Sequence, residues 1–373
     1  MRTDDPAGDR RPRRARSGVG RLGLALGATA VGVLVAELAL RLLGIAPARF
    51  TQPRSLESAD KRWALDLYPS DPRGDFDVDL RAAGVRRTWS ERGVPDVERR
   101  WERTPVGVGL RFSAELCRGG DIAPSDGRAR VVVIGDSFTE GQGVREQDTF
   151  SARLDRALDA QVINCGRRGY DFPRLSEWFD IQTEQLAPDV VLYAMVLNDP
   201  EQSDAFRARQ RFLDDWILDR RRMLSDGDGG DPPAWPPRLV QVLEDRLEGA
   251  RVGAETTAWY RGMVGAENRE GWEATLTHLE RMDAAMRERG GRLVVALWPL
   301  LVDLEGDYPF RDVHRAIGEA LRARDIAFVD ALDAFLGQAP SALWVHDADH
   351  HPNADAHARF AEAVGPTLDR ALP

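Results

Sequence analysis

At 373 residues, with 43% hydrophobic and 30% charged side chains, the chain has the composition of a soluble globular protein, large enough for one big domain or two ordinary ones. A net charge of −10 argues against nucleic acid as the main partner. Two cysteines, Cys117 and Cys165, are too few for a disulfide scaffold or a cysteine metal cluster; they are expected as unpaired, partly buried thiols, with pairing left open in an oxidising compartment.

The chain opens on a basic tail, residues 1–21, with seven arginines against three aspartates. An apolar run follows, and from Leu22 to Leu40 Glu37 is its only charge. Such a run, behind arginines that stay on the cytoplasmic side, reads as a transmembrane signal anchor over 22–45. The rival is a cleaved signal peptide cut at Ala46-Pro47-Ala48. Glu37 and Arg41 stand one helical turn apart and can pair near the far interface. The rest of the chain is then expected in the periplasm or outside the cell, tethered by a single pass through the cytoplasmic membrane. Residues 46–105, rich in Pro, Asp and Arg, read as a linker and a small irregular region.

From residue 106 to 373 the pattern is that of one domain. "RVVVI", "QVINC", "DVVLYAMV", "RLVVALWP" and "IAFVD" read as five strands, and "DVVLYAMV" is apolar enough to be buried on both faces. Between them lie "TFSARLDRALDA", with Phe150, Leu154 and Leu158 four apart, then "RLSEWFDIQTEQL", a long helix stopped by Gly290-Gly291, and "VHRAIGEALRARD". "NADAHARFAEAVGPTL" closes the chain. This alternation predicts a five-stranded parallel sheet covered by helices on both faces, a three-layer α/β/α sandwich. Residues 200–265, around the Gly-Pro-rich loop "SDGDGGDPPAWPP", read as a helical insertion.

In such sheets ligands bind beyond the carboxyl ends of the strands. There the sequence puts Gly135-Asp136-Ser137 after the first strand, Asn164-Cys165-Gly166 and Gly169 after the second, and Asn198-Asp199 after the third. "HDADHHPNADAH" comes after the fifth. By itself Ser137 is either a nucleophile or a helix cap. Acyl transfer needs a serine, an imidazole to take its proton, a carboxylate to orient the imidazole, and N–H donors for the developing oxyanion. The four strand ends hold all of these.

These four blocks, in this order over about residues 130–370, resemble those of the SGNH (GDSL) hydrolases. "GDSFTEGQGV", "NCGRRGY", "DHHPNADAH" and the lead-in "LRFSAELCRGG" are similar to membrane-anchored bacterial members related to polysaccharide O-acetylation. The resemblance implies a flavodoxin-like sheet and a serine esterase or O-acyltransferase acting on acyl esters, such as acetyl groups on an envelope glycan or lipid. It implies Ser137 as nucleophile and His351 as general base. The N–H groups of Ser137 and Gly169 and the amide of Asn198 would form the oxyanion hole, with Gly166 the competitor for the second donor. Ala348 stands three before His351, where the family has an aspartate. Related polysaccharide acetylation proteins have Asp-x-His, and this resemblance implies Asp349, two before, as the acid, reaching the ring through a tight turn, with Asp347 the fallback. No cofactor and no metal are implied.

Two other readings stand beside this one. A zinc hydrolase would use the dense His346, Asp347, Asp349, His350, His351, Asp355 and His357 segment, and a non-catalytic glycan-binding or assembly protein would use the fold alone. His350 is expected to face solvent or support the site. His278 and His314 are expected on helix surfaces and His357 on the closing helix. Trp216, Trp235 and Trp259 are candidates for stacking on a sugar.

Overall fold

The computed structural model describes residues 17–45, 112–209, 234–346 and 349–373. The expected linker 46–105, Trp216 and Asp347 lie outside the described residues. The described residues fall into two compact units, 17–45 with 234–252 and 112–209 with 253–373.

In chain order the elements are α1 (Ser17–Leu42), β1 (Ala129–Gly135), α2 (Ser137–Glu140), α3 (Phe150–Ala157), β2 (Ala160–Asn164), α4 (Arg174–Leu186), β3 (Val190–Met195), α5 (Arg238–Gly262), α6 (Arg269–Glu288), β4 (Arg292–Leu297), α7 (Arg311–Arg322), β5 (Ala327–Asp330), β6 (Trp344–His346), β7 (Asp349–Pro352) and α8 (Ala354–Ala371). Within α1, Leu22–Leu42 is long and apolar enough to cross a membrane. The expected pair forms, with Arg41 Nε 2.6 Å from Glu37 Oε1.

All five expected strands are present, in one parallel sheet of order β2-β1-β3-β4-β5. β1 and β3 are its hydrophobic spine: Val131 to Ile134 and every residue of β3 are buried. The chain moves one way from β1 to β2 and the other way from β2 across β1 to β3. Right-handed crossovers therefore send α3 to one face and α4, α6 and α7 to the other. α8 packs back on α3, and α4 packs on α6. The point where the strand order reverses lies between the carboxyl ends of β1 and β3, the place where sheets of this kind bind ligands.

Two readings are corrected. Cys117 and Cys165 are joined by a disulfide. The lead-in 112–118 runs antiparallel to the end of β2, with Arg118 bridged to Asn164, so a separation of 48 residues becomes direct contact. His314 is not on a surface: it is 2% exposed, with Nδ1 2.8 Å from Asp330 Oδ1 and Nε2 3.2 Å from the Tyr308 hydroxyl. α7 is amphipathic, and its apolar stripe carries the histidine inward. His278 is half-buried between α4 and α6, with Nδ1 2.9 Å from Ser176 Oγ.

His357 on α8 is wholly buried among Phe150, Trp298 and Phe360. Its Nδ1 accepts the N–H of Phe150 at 3.1 Å. Burial, helped by the nearby Arg118 charge, pushes its pKa down from 6.5 to about 3. The unfolded chain therefore takes a proton below pH 6.5 that the folded chain refuses until about pH 3. Stability falls across that window as pH drops, by about 1.4 kcal/mol per unit and about 5 kcal/mol in all. His357→Gln, which keeps an acceptor for Phe150, should flatten this dependence. Guanidinium unfolding midpoints at several pH values test it, and parallel curves for variant and wild type would rule the assignment out.

Candidate active site

β1 ends at Gly135 and the chain turns at once into α2. The cap of that helix is Asp136, whose Oδ1 accepts the N–H of Phe138 at 2.8 Å. Ser137 is thus relieved of capping and stands at the first helical position, half-buried, its N–H without an acceptor in its own helix. Its Oγ lies 2.9 Å from Nε2 of His351, a residue 214 positions further on.

His351 is carried by an element the sequence did not announce, the antiparallel hairpin β6–β7. Alternation along β7 sends neighbouring side chains to opposite sides. His350 stacks on Trp344 with ring centroids 3.8 Å apart, while His351 meets Ser137 and the edge of Phe138. Trp344 Nε1 donates to the carbonyl of Leu301 at 2.9 Å, which pins the hairpin to the loop after β4. Behind the serine, Phe138 meets Trp298, and Trp298 lies flat on Phe360 at 3.7 Å. Three of the four histidines of the zinc reading, His350, His351 and His357, thus go to three different places, and among the described residues no cluster of His, Cys, Asp and Glu fits a metal. The expected tight turn before His351 is instead extended strand, Asp349–Pro352. The side chain of Asp349 and the whole of Asp347 lie outside what the structure describes.

The loop after β2 sorts the two glycines. Gly166 sits against the back of α2, where a Cβ would come within 2.3 Å of the Glu140 nitrogen, and its own N–H donates to Asn164 Oδ1 at 3.0 Å. The amides of Cys165, Arg167, Arg168 and Tyr170 are also bonded. Gly169 adopts a left-handed φ of 73°, has open space where a side chain would be, and its N–H has no partner among the described residues. The loop is held to α2 by Arg168, whose Nε lies 2.7 Å from Oε1 of the buried Glu140. The Asn164 amide ties it further, donating to the Thr139 carbonyl at 2.8 Å and to Ser151 Oγ at 2.9 Å.

After β3, Asp199 is fully buried and closes the turn: its Oδ2 accepts the Val196 N–H at 2.9 Å and the Tyr193 hydroxyl at 2.8 Å. Burial, with the Asp136 charge beside it, pushes Asp199 well above the usual carboxylate range. The half-buried Asn198 that this turn presents lies near Asp136. Asp136 is itself pushed up to about 6 by burial, partly offset by the Phe138 N–H, by the nearness of His351 and by the Asn198 amide beside it. The Asp136 carboxylate therefore fixes the start of the helix. The structure brings Ser137 and His351 together, sets Asn198 near the cap beside them, and leaves Gly169, on the neighbouring loop, with an N–H that has no partner among the described residues. What the sequence did not reveal is Glu140–Arg168 as the clamp on the glycine loop.

Of the candidate sugar-stacking tryptophans, Trp235 is 79% exposed, and Trp259 is half-buried with its ring against Tyr260.

Several solved structures are similar to this chain at low identity. They include a G-D-S-L family protein from Desulfitobacterium hafniense DCB-2 (14% identity, covering 64% of this chain and 99% of that one, TM-score 0.39). An acetylxylan esterase from Geobacillus stearothermophilus matches at 15% identity, covering 64% and 93%, TM-score 0.37. The esterase EstA from Pseudoalteromonas sp. matches at 13%, covering 65% and 97%, TM-score 0.37. A comparison with curated protein sequences returned no significant match. The profile of the GDSL-like lipase/acylhydrolase family matches residues 133–359, from within β1 through the hairpin and into α8, so the chain belongs to that family of acyl-ester hydrolases.

Proposed function

We propose that the protein is a membrane-anchored serine esterase working outside the cytoplasm, taking acyl groups, acetyl above all, from an envelope glycan or lipid. The observation that carries the reading is the 2.9 Å contact between Ser137 Oγ and His351 Nε2. In the first half-reaction Ser137 Oγ attacks the ester carbonyl while His351 takes the hydroxyl proton. The oxyanion accepts from the N–H groups of Ser137 and Gly169 and from the Asn198 amide. Collapse expels the alcohol, which takes the proton back from His351. Water, or a sugar hydroxyl where the acyl group is transferred, then attacks the acyl-Ser137 ester with His351 again as base. A panel of aryl acyl esters and acetylated glycans, run beside labelling with a fluorophosphonate, tests the reading. Absence of both turnover and labelling would defeat it.

Asp349 is the acid in this scheme, since residues two apart in a strand share one face. Its carboxylate would fix the imidazole tautomer and stabilise the imidazolium. Asp349→Asn should lower turnover by about a hundredfold and Asp347→Asn by less than about fivefold. The opposite ranking would move the role to Asp347.

The location is supported by the basic tail before Leu22, by the apolar Leu22–Leu42, and by the disulfide, a bond of oxidising compartments. A reporter active only outside the cytoplasm, fused after Pro373, should be active, and the protein should stay in the membrane fraction with its N-terminus intact. A mature chain beginning at Arg49 would replace the anchor with a cleaved signal peptide.

A further inference from the structure

Glu37 poses a question, because a carboxylate inside an apolar run is costly. The structure gives it three partners. Oε1 accepts from Arg41 Nε at 2.6 Å and from the N–H of Arg238 at 2.9 Å, and Oε2 accepts the N–H of Leu239 at 2.8 Å. The last two are amides of the first turn of α5, which lack acceptors in their own helix. Glu37 thus caps α5 from a different helix, and its charge suits that end of the helix dipole. Two arginines complete the joint: Arg238 Nη1 donates to the Ile45 carbonyl at 3.2 Å, and Arg41 Nη2 to that of Ala234 at 3.5 Å.

The joint has a definite depth if Leu22–Leu42 spans a membrane. Twenty-one residues of helix are about 31 Å long, the thickness of the hydrocarbon layer. Glu37 lies five residues before the end of the span, about 7.5 Å inside it. The first turn of α5 therefore sits in the outer part of the acyl-chain layer, close to the headgroups. Bare N–H groups there would cost several kcal/mol each, and two of them are the ones Glu37 satisfies.

The surface beside the joint is apolar. Trp235 is 79% exposed, Leu247 71%, Leu243 53% and Val240 38%. At about 100° per residue, Leu239, Val240, Leu243, Leu247 and Ala250 fall within an arc of about 100° on α5, while Arg238, Asp245 and Glu248 lie on the far side. Three large apolar side chains on one exposed face ask for a covering, and tryptophan is the side chain that membrane interfaces favour.

We propose that residues 234–247 are a second membrane contact: α5 begins in the lipid interface, capped by Glu37, with Trp235, Val240, Leu243 and Leu247 against the bilayer. The occupant of this face is lipid, because the face is continuous with the span through the Glu37 joint. The proposal rests on the reading of Leu22–Leu42 as a membrane anchor. It gives that anchor two points of attachment, which stops this unit from spinning about the axis of α1.

The test uses the full chain in vesicles of phosphatidylethanolamine and phosphatidylglycerol. The native cysteines are bonded to each other, so single cysteines can be introduced as Leu34→Cys, Leu243→Cys, Leu247→Cys and Glu248→Cys and given nitroxide labels. Oxygen, which concentrates in lipid, should relax the labels at 34, 243 and 247 more than a water-soluble nickel chelate does, and the order should reverse at 248. Labels at 243 and 247 relaxed by nickel, with 34 still in lipid, would overturn the second contact and leave the anchor standing. Labels at 243 and 247 immobilised and reached by neither agent would mean a protein covers the face, which also overturns it. A label at 34 reached by nickel would remove the anchor itself, and the proposal with it.

Discussion

Ser137→Ala lowers ester turnover by at least about a thousandfold and abolishes labelling by a fluorophosphonate. The loss is that large because the oxygen 2.9 Å from His351 Nε2 is removed, and the acyl-enzyme route disappears with it. His351→Ala should cost about as much, and the double variant little more, since the two act as one unit. The fold should not change: the cap of α2 is Asp136 and not the serine, and the Ser137 side chain is only half-buried. Equal melting temperatures with lost turnover are the expected pair of results. Turnover at the wild-type rate in Ser137→Ala would end the serine mechanism.

Asn198→Ala lowers kcat by about a hundred- to a thousandfold and leaves KM nearly unchanged. An oxyanion donor does its work only when the carbonyl oxygen takes on charge, so ground-state binding is spared. Asn198 is presented beside Asp136 by the turn that Asp199 closes. A rise in KM with kcat intact would make Asn198 a substrate-binding residue instead.

The five strands were legible because each is a short apolar, β-branched run bounded by turn residues, and their parallel arrangement followed from the helices between them. Ser137 and His351 were picked out by the resemblance of their sequence blocks to a known family, and the structure brings the two to 2.9 Å. The hairpin β6–β7 was hidden: its strands span three and four residues and are rich in histidine, so no period of two emerges. His314 was misplaced because one histidine on a helix says nothing of which face it takes until its partners, Asp330 and Tyr308, are known. The cysteines were misread because their meeting depends on how the lead-in 112–118 docks on β2, a contact without local signal. Glu37 was seen to pair with Arg41, four residues away, but its bonds to Arg238 and Leu239 cross 201 and 202 positions of sequence.

The Cys117–Cys165 bond has a topological consequence. It closes the intervening chain into a covalent loop, and Ser137 is part of that loop, together with β1, α3 and β2. A protease that cuts once between Arg118 and Asn164 therefore releases nothing. Ser137 stays tied to the glycine loop and, through it, to the rest of the chain, until the sulfur bridge is reduced. In a compartment where peptide bonds are exposed to proteases and thiols stay oxidised, the segment bearing the reactive serine is the one that a single cut cannot detach.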